Sequence, residues 1–113
     1  MERRDRIILK KILSELEIAE KEIAVHPLEE FLTSELLKRA GTLTVINIGE
    51  YVKILTLTFR KEHANIPWKA IAGFRDIAAH KYHSLRMDDV YETITKDFPE
   101  LHAEIKKILE SEA

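Results

Sequence analysis

A chain of 113 residues, 45% hydrophobic and 34% charged, is long enough for one helical core and too short for a second, so a large active-site cleft is expected to be shared with another copy. It has no cysteine, which excludes disulfides, thiolate metal sites and a thiol nucleophile, and fits a reducing cytoplasm. A formal net charge of -2 argues against a generally basic nucleic-acid binder, and only three Gly and three Pro favour long helices.

The opening Met1-Glu2-Arg3-Arg4-Asp5-Arg6 mixes acids with bases, and Lys10 and Lys11 break the apolar run after it. Neither a signal peptide nor a membrane span is expected. Leu9, Ile12, Leu16, Ala19 and Ile23 recur at helical spacing and predict a first helix over residues 5–25, stopped by Pro27. Leu28 to Thr33 reads as a short connection. Ser34 suits the N-cap of a second long helix through Leu36, Leu37, Leu43, Ile46, Val52, Leu55 and Phe59. Gly41 and Gly49 inside it each cost about 1 kcal/mol against alanine, which points to close backbone approach by a neighbouring helix. The β-branched run Thr42 to Ile48 also fits a strand, but a lone strand would find no partner.

Asn65-Ile66-Pro67-Trp68 marks a third helix start, with Pro67 in the first turn where its missing N–H costs nothing. That helix runs to about His80. Trp68, Ile71, Ala72, the stem of Arg75 and Ala79 form one face, and Phe74, Ile77 and Ala78 the adjoining side. So wide an apolar surface predicts a central helix. Tyr82 to Arg86 forms a turn, Asp88 and Asp89 suit the first turn of a fourth helix, and Asp97-Phe98-Pro99-Glu100 repeats the signature of a helix start. A terminal helix carries Leu101, Ile105, Ile108 and Leu109. The expected architecture is all-α, a single domain over 1–113 built as a bundle of about five helices.

Charge is unevenly spread. Residues 60–86 hold six Lys or Arg (Arg60, Lys61, Lys69, Arg75, Lys81, Arg86) against two acids, a balance of +4, and residues 87–113 hold three Lys against eight acids, a balance of -5. His63, His80 and His83 lie in the basic stretch. This fits either a local polyanion site or chance clustering on solvated faces.

Arg75 and His80 are the pair most suited to chemistry. Five helical positions amount to about 140° of rotation, so the two do not stack on one face, but they can converge where the helix ends. A neutral imidazole can take the proton of a ribose 2′-OH, an imidazolium can protonate the leaving oxygen, and a guanidinium can stabilise charge on phosphoryl oxygens. Spacing alone is a weak signal. It is equally met by an Arg75 paired with Asp76 or a distant acid and a His80 capping a helix C-terminus. His80, His83, His63 and His102 show no metal-ligand spacing.

Arg75-x4-His80-x-Tyr82 matches the R-x4-H-x-Y signature of HepT-type toxins of the HEPN superfamily, helical prokaryotic ribonucleases. Arg4-Asp5-Arg6-Ile7, Ile48-Gly49-Glu50, Ile66-Pro67-Trp68-Lys69-Ala70-Ile71-Ala72-Gly73 and Phe98-Pro99-Glu100-Leu101 also resemble that family, in order, so the resemblance covers nearly the whole chain.

The resemblance implies a cytoplasmic homodimer in which Arg75 and His80 of both copies line one cleft. Arg75 would stabilise the scissile phosphate of RNA and His80 act as acid or base. It further implies a partner, a small nucleotidyltransferase antitoxin of the MntA type. That antitoxin transfers AMP from ATP onto Tyr82, and a bulky anion there would spoil the RNA cleft. No cofactor or metal is implied for this chain, ATP being the partner's substrate. A noncatalytic dimer that binds a nucleotide or the partner is the alternative. Glu50, expected to be partly buried, is placed to pair with Arg75. Where relatives often carry glycine between the histidine and tyrosine, this chain has Lys81, which leaves the geometry of that turn open.

Overall fold

The computed structural model describes residues 1–112, and all regular structure among them is helical. The elements are α1 (Arg3–Ile18), α2 (Leu28–Thr33), α3 (Glu35–Ile54), α4 (Leu57–Glu62), α5 (Trp68–His80), α6 (Met87–Glu92) and α7 (Phe98–Ser111). Two π-helical turns, Ala19–Ile23 and Thr93–Asp97, extend α1 and join α6 to α7. No helix among the described residues is long and apolar enough to cross a membrane.

The core is made where α1, α3 and the α6–α7 rod meet. Leu9, Ile12, Ile48, Val52, Val90 and Ile105 are all fully buried there, which removes whole side chains from water at about 1.5–3 kcal/mol each. α1 presents its predicted stripe inward, and the π turn carries it on to Ala19 and Ile23 before Ala24 N–H closes on Ala19 O at 2.8 Å.

The segment expected to be a plain connection is α2. Pro27 precedes it in extended conformation, Glu29 and Glu30 face its positive end, and Phe31 drives into the core. Gly41 makes room for that ring: a β-carbon on Gly41 would stand 3.0 Å from Phe31 Cε1 and 3.1 Å from Ile94 Cδ1. Tyr91 tilts against the same ring, at 5.2 Å between centroids, and donates its hydroxyl to His26 O at 2.6 Å.

α3 starts as expected, Ser34 Oγ accepting from Leu37 N–H at 3.1 Å. The β-branched run is helical throughout. Buried Thr42 and Thr44 donate their hydroxyls to Lys38 O and Ala40 O, one turn back, so neither is left unpaired. The helix nevertheless stops at Ile54 and does not reach Phe59. Leu55 turns extended, and Thr56 begins α4 by accepting from Phe59 N–H. The cause lies 51 residues upstream. Asp5, only 1% exposed, accepts from both the backbone N–H and the hydroxyl of Thr56, at 2.9 and 2.7 Å, and Arg4 donates to Ile54 O at 3.0 Å. The first turn of α1 thus caps the end of one helix and the start of the next.

Two other expectations change. α6 and α7 form one rod: Asp97 is helical and makes no capping bond, and Phe98 N–H reaches back five residues to Thr93 O. That wider ladder opens the backbone just where Pro99 has no N–H to give. α5 is peripheral. Only Trp68 and Ala78 are buried, and Ile77 is 47% exposed. It packs on α3 and leaves its other side uncovered. Its entry is pinned by Trp68 Nε1–H, which donates to His63 O at 3.0 Å, with Pro67 as the capping residue just before the helix.

Removing the Asp5 carboxylate leaves the part-buried Thr56 N–H without an acceptor. Asp5→Ala is therefore expected to lower stability by about 2–3 kcal/mol, read as a fall in the urea midpoint at unchanged slope, with Thr56→Val losing less because its N–H still reaches Asp5.

Candidate active site on the α3–α5 face

Gly49 of α3 and Arg75 of α5 touch more closely than any pair with two β-carbons can. A β-carbon built on Gly49 would lie 2.1 Å from Arg75 Cβ and 2.6 Å from Arg75 Cγ. Glycine is thus required here by space, its backbone being ordinary helix. The stem of Arg75 runs across the bare α3 backbone, and its head emerges beside Glu50. Arg75 Nη2 forms an ion pair with Glu50 Oε2 at 2.8 Å and Nη1 donates to Asp76 Oδ1 at 3.1 Å, while Nε is buried with no protein partner. The expected Glu50–Arg75 pair is therefore present, although Glu50 is exposed and not partly buried. The short-range alternative, Arg75 with Asp76, is present as well.

Lys53 completes the cluster. It stands four residues beyond Gly49 and so on the same side of α3. Its Nζ donates to Asp76 Oδ1 at 2.6 Å. Lys53 and then Arg75 hold the Asp76 carboxyl below its ordinary value of 3.8. Sequence reasoning passed over Lys53. The available signal was its position one turn after Gly49 and three residues after Glu50, on a face already marked for contact with α5.

His80 is the last residue of α5, exposed, and the helix closes there with Lys81 N–H donating to Ile77 O at 2.9 Å. Lys81 has φ -130° and ψ 41°, and among the described residues none with a side chain takes positive φ. The turn therefore does not need a glycine at position 81. Tyr82 opens a 3₁₀ turn, Tyr82–Ser84, half-buried with its ring edge-on to His83 at 6.1 Å. Among the described residues no hydrogen bond or ion pair links Arg75 to His80 or Tyr82. Arg75, Asp76, Glu50 and Lys53 are brought together; His80 and Tyr82 follow at the end of the same helix.

The basic stretch is partly neutralised. Arg86 pairs with Asp88 at 2.8 Å and Arg75 with its two acids, whereas Arg60, Lys61, Lys69 and Lys81 make no ion pair among the described residues. A separate groove of about 510 Å³ lies between α5 and the α6–α7 rod, floored by Ile71, Phe74, Phe98 and Leu101. None of Arg75, His80 or Tyr82 lines it. Asp97 on its rim is raised above its ordinary value, first by burial and then by Glu100 and Glu92. No three His, Cys, Asp or Glu side chains among the described residues converge as metal ligands.

Residues 12–108 match a family model described as Ribonuclease HepT-like. A candidate RNase of Caldanaerobacter subterraneus subsp. tengcongensis is 38% identical over 92% of this chain and 93% of its own length. A gamma-glutamylcyclotransferase and candidate RNase of Methanocaldococcus jannaschii is 36% identical over 93% of this chain, which spans 47% of that longer protein. A candidate ribonuclease HepT of Thermococcus cleftensis is 27% identical over 96% of this chain and 98% of its own. No solved structure matches.

Gly49, at this face, and Gly73, on the open side of α5, should behave oppositely. Gly73 has nothing within 4 Å of a built β-carbon, so Gly73→Ala is expected to gain about 1 kcal/mol from helix propensity, whereas Gly49→Ala loses about 1–3 kcal/mol by forcing α5 away; thermal unfolding of the two variants checks both signs. Because the folded Asp76 carboxyl is depressed, the stability it lends is present above its ordinary pKa and lost as pH falls through the lowered value. The stability gap between wild type and Asp76→Asn should then be constant near neutrality and close below about pH 4, in denaturant titrations across that range.

Proposed function

Because the chain belongs to the Ribonuclease HepT-like family, with residues 12–108 matching, we propose that it is a metal-independent endoribonuclease that cuts RNA as a homodimer. It is the toxin of a HEPN/MNT toxin–antitoxin pair. The observation that carries this reading is the Arg75 guanidinium, delivered to the surface by a stem locked over Gly49 and placed on the helix that ends at His80. Rigid delivery of a charged group is what stabilisation of a developing phosphorane needs.

The reaction uses the ribose 2′-OH. Its oxygen attacks phosphorus and the bond to the 5′-oxygen breaks, giving a cyclic phosphate end and a free 5′-OH. A neutral His80 accepts the 2′ proton, an imidazolium His80 of the other copy protonates the leaving oxygen, and Arg75 bears the added charge on the nonbridging oxygens. DNA, lacking the 2′-OH, is not cut. Support for the homodimer comes from the uncovered side of α5, where Ile77 and the apolar groove at Ile71 and Phe74 remain without cover in a single copy.

Tyr82 is the site of control. It lies two residues past His80, in a short turn with its ring half-buried, and AMP on its oxygen would set a phosphate and a nucleoside at the end of the helix that carries Arg75 and His80. The donor is ATP, used by a nucleotidyltransferase antitoxin of the MntA type. A noncatalytic dimer that holds a nucleotide or that partner is the second reading, favoured by one observation: both terminal nitrogens of Arg75 already carry a carboxylate.

Expression without the antitoxin is expected to arrest growth and degrade RNA, and His80→Ala to lower cleavage by about 10²–10⁴-fold. Equal growth with intact RNA in both strains would sink the enzyme. Incubation with the antitoxin and ATP should add AMP to the wild-type mass and leave Tyr82→Phe unchanged; equal labelling of both would exclude Tyr82 as acceptor.

A further inference from the structure

Lys53 and Arg75 donate to the same atom. Lys53 Nζ lies 2.6 Å and Arg75 Nη1 3.1 Å from Asp76 Oδ1, so one anionic oxygen sits where two cations from different helices reach it. Within the cluster Arg75 is the least accessible side chain, at 19% exposure, while Lys53, Asp76 and Glu50 reach solvent at 40%, 47% and 55%. An arriving anion meets Lys53 and the two carboxylates together, with Arg75 behind them. At rest two cations and two anions cancel, which suits a chain of net charge -2 that does not hold polyanions everywhere on its surface.

Taking the ribonuclease reading above as basis, we infer that Lys53 is a second phosphate-binding residue of the site, and that the Asp76 carboxylate occupies the place of a nonbridging phosphate oxygen until RNA displaces it. A phosphodiester carries a single negative charge; attack by the 2′-oxygen gives phosphorus a second. Arg75 and Lys53, one on each nonbridging oxygen, match that dianion better than either does alone, and their gain is largest in the transition state. Arg75 supplies a planar, fixed donor held over Gly49. Lys53 supplies a mobile point charge on a flexible stem that can follow the phosphorus as its geometry changes. The backbone makes the convergence obligatory: Gly49 brings α3 against Arg75, and Lys53 projects one turn later on the same face.

A purely structural Lys53 would only neutralise Asp76, and the two roles separate in a double variant. Purified wild type, K53M, K53R, D76N and K53M/D76N are assayed on a fluorescent single-stranded RNA, with thermal unfolding to confirm that each is folded. K53M is expected to lose on the order of 10²-fold in kcat/KM, K53R to keep most of the activity, and K53M/D76N to stay as low as K53M. In a cleavage-dead His80→Ala background, K53M should also reduce the salt dependence of RNA binding by about 0.7 in the logarithmic slope, one phosphate contact. Wild-type rates in K53M, or recovery of activity in K53M/D76N, would overturn the assignment while leaving the ribonuclease intact. A wild-type protein that neither binds nor cuts RNA would overturn the ribonuclease reading and this site with it.

Discussion

The absence of one methyl group organises this molecule. With hydrogen in place of a side chain at Gly49, α3 and α5 approach until the stem of Arg75 lies on bare backbone, closer than any two β-carbons could come. Everything polar at the site follows from that approach. The guanidinium pairs with Glu50 on one edge and with Asp76 on the other, and Lys53, a turn further along α3, meets the same Asp76 oxygen. Gly41 serves the same helix differently, opening space for the Phe31 ring in the core.

A second constraint fixes where α3 ends. Asp5 and Arg4, in the first turn of α1, bind the corner between Ile54 and Thr56 with one hydrogen bond to a carbonyl and two from Thr56. A buried carboxylate is costly unless its oxygens are paired, and here both are used. The corner begins one residue after Lys53, so the polar clasp holds the end of the helix from which Lys53 reaches Asp76. The core packing and the charged cluster are thus joined through a contact distant in sequence.

The cluster is electrically quiet at rest. Salt bridges between exposed groups contribute little stability, because water screens them and long side chains lose freedom in making them. Their value here is positional: the carboxylates hold the two cations at a common point and leave them open to exchange for a stronger anion. Across α5, Ile77 and the groove at Ile71 and Phe74 stay uncovered, which explains how a helix apolar on most of its circumference can lie at the edge of the fold.

Local chemistry determined much of this in advance. The inward stripe of α1, the Ser34 cap, the end of α5 at His80 and the Arg75-x4-His80-x-Tyr82 pattern are all readable residue by residue, because helix periodicity, capping and motif spacing are short-range properties. The pairing of Glu50 with Arg75 was legible too, from the ordered motifs of the family. What tertiary structure alone decided was set by contacts between distant residues. Helical propensity continues past Leu55, and the hold of Arg4 and Asp5 on Ile54 and Thr56 breaks it; Asp97-Phe98-Pro99 has the form of a helix start, yet a π turn carries α6 through; Leu28 to Thr33 becomes a helix because Phe31 finds a site at Gly41. Lys53 is marked in the sequence only by its spacing from Gly49 and Glu50. Its place beside Arg75 exists only once two helices are packed with nothing between them but a glycine.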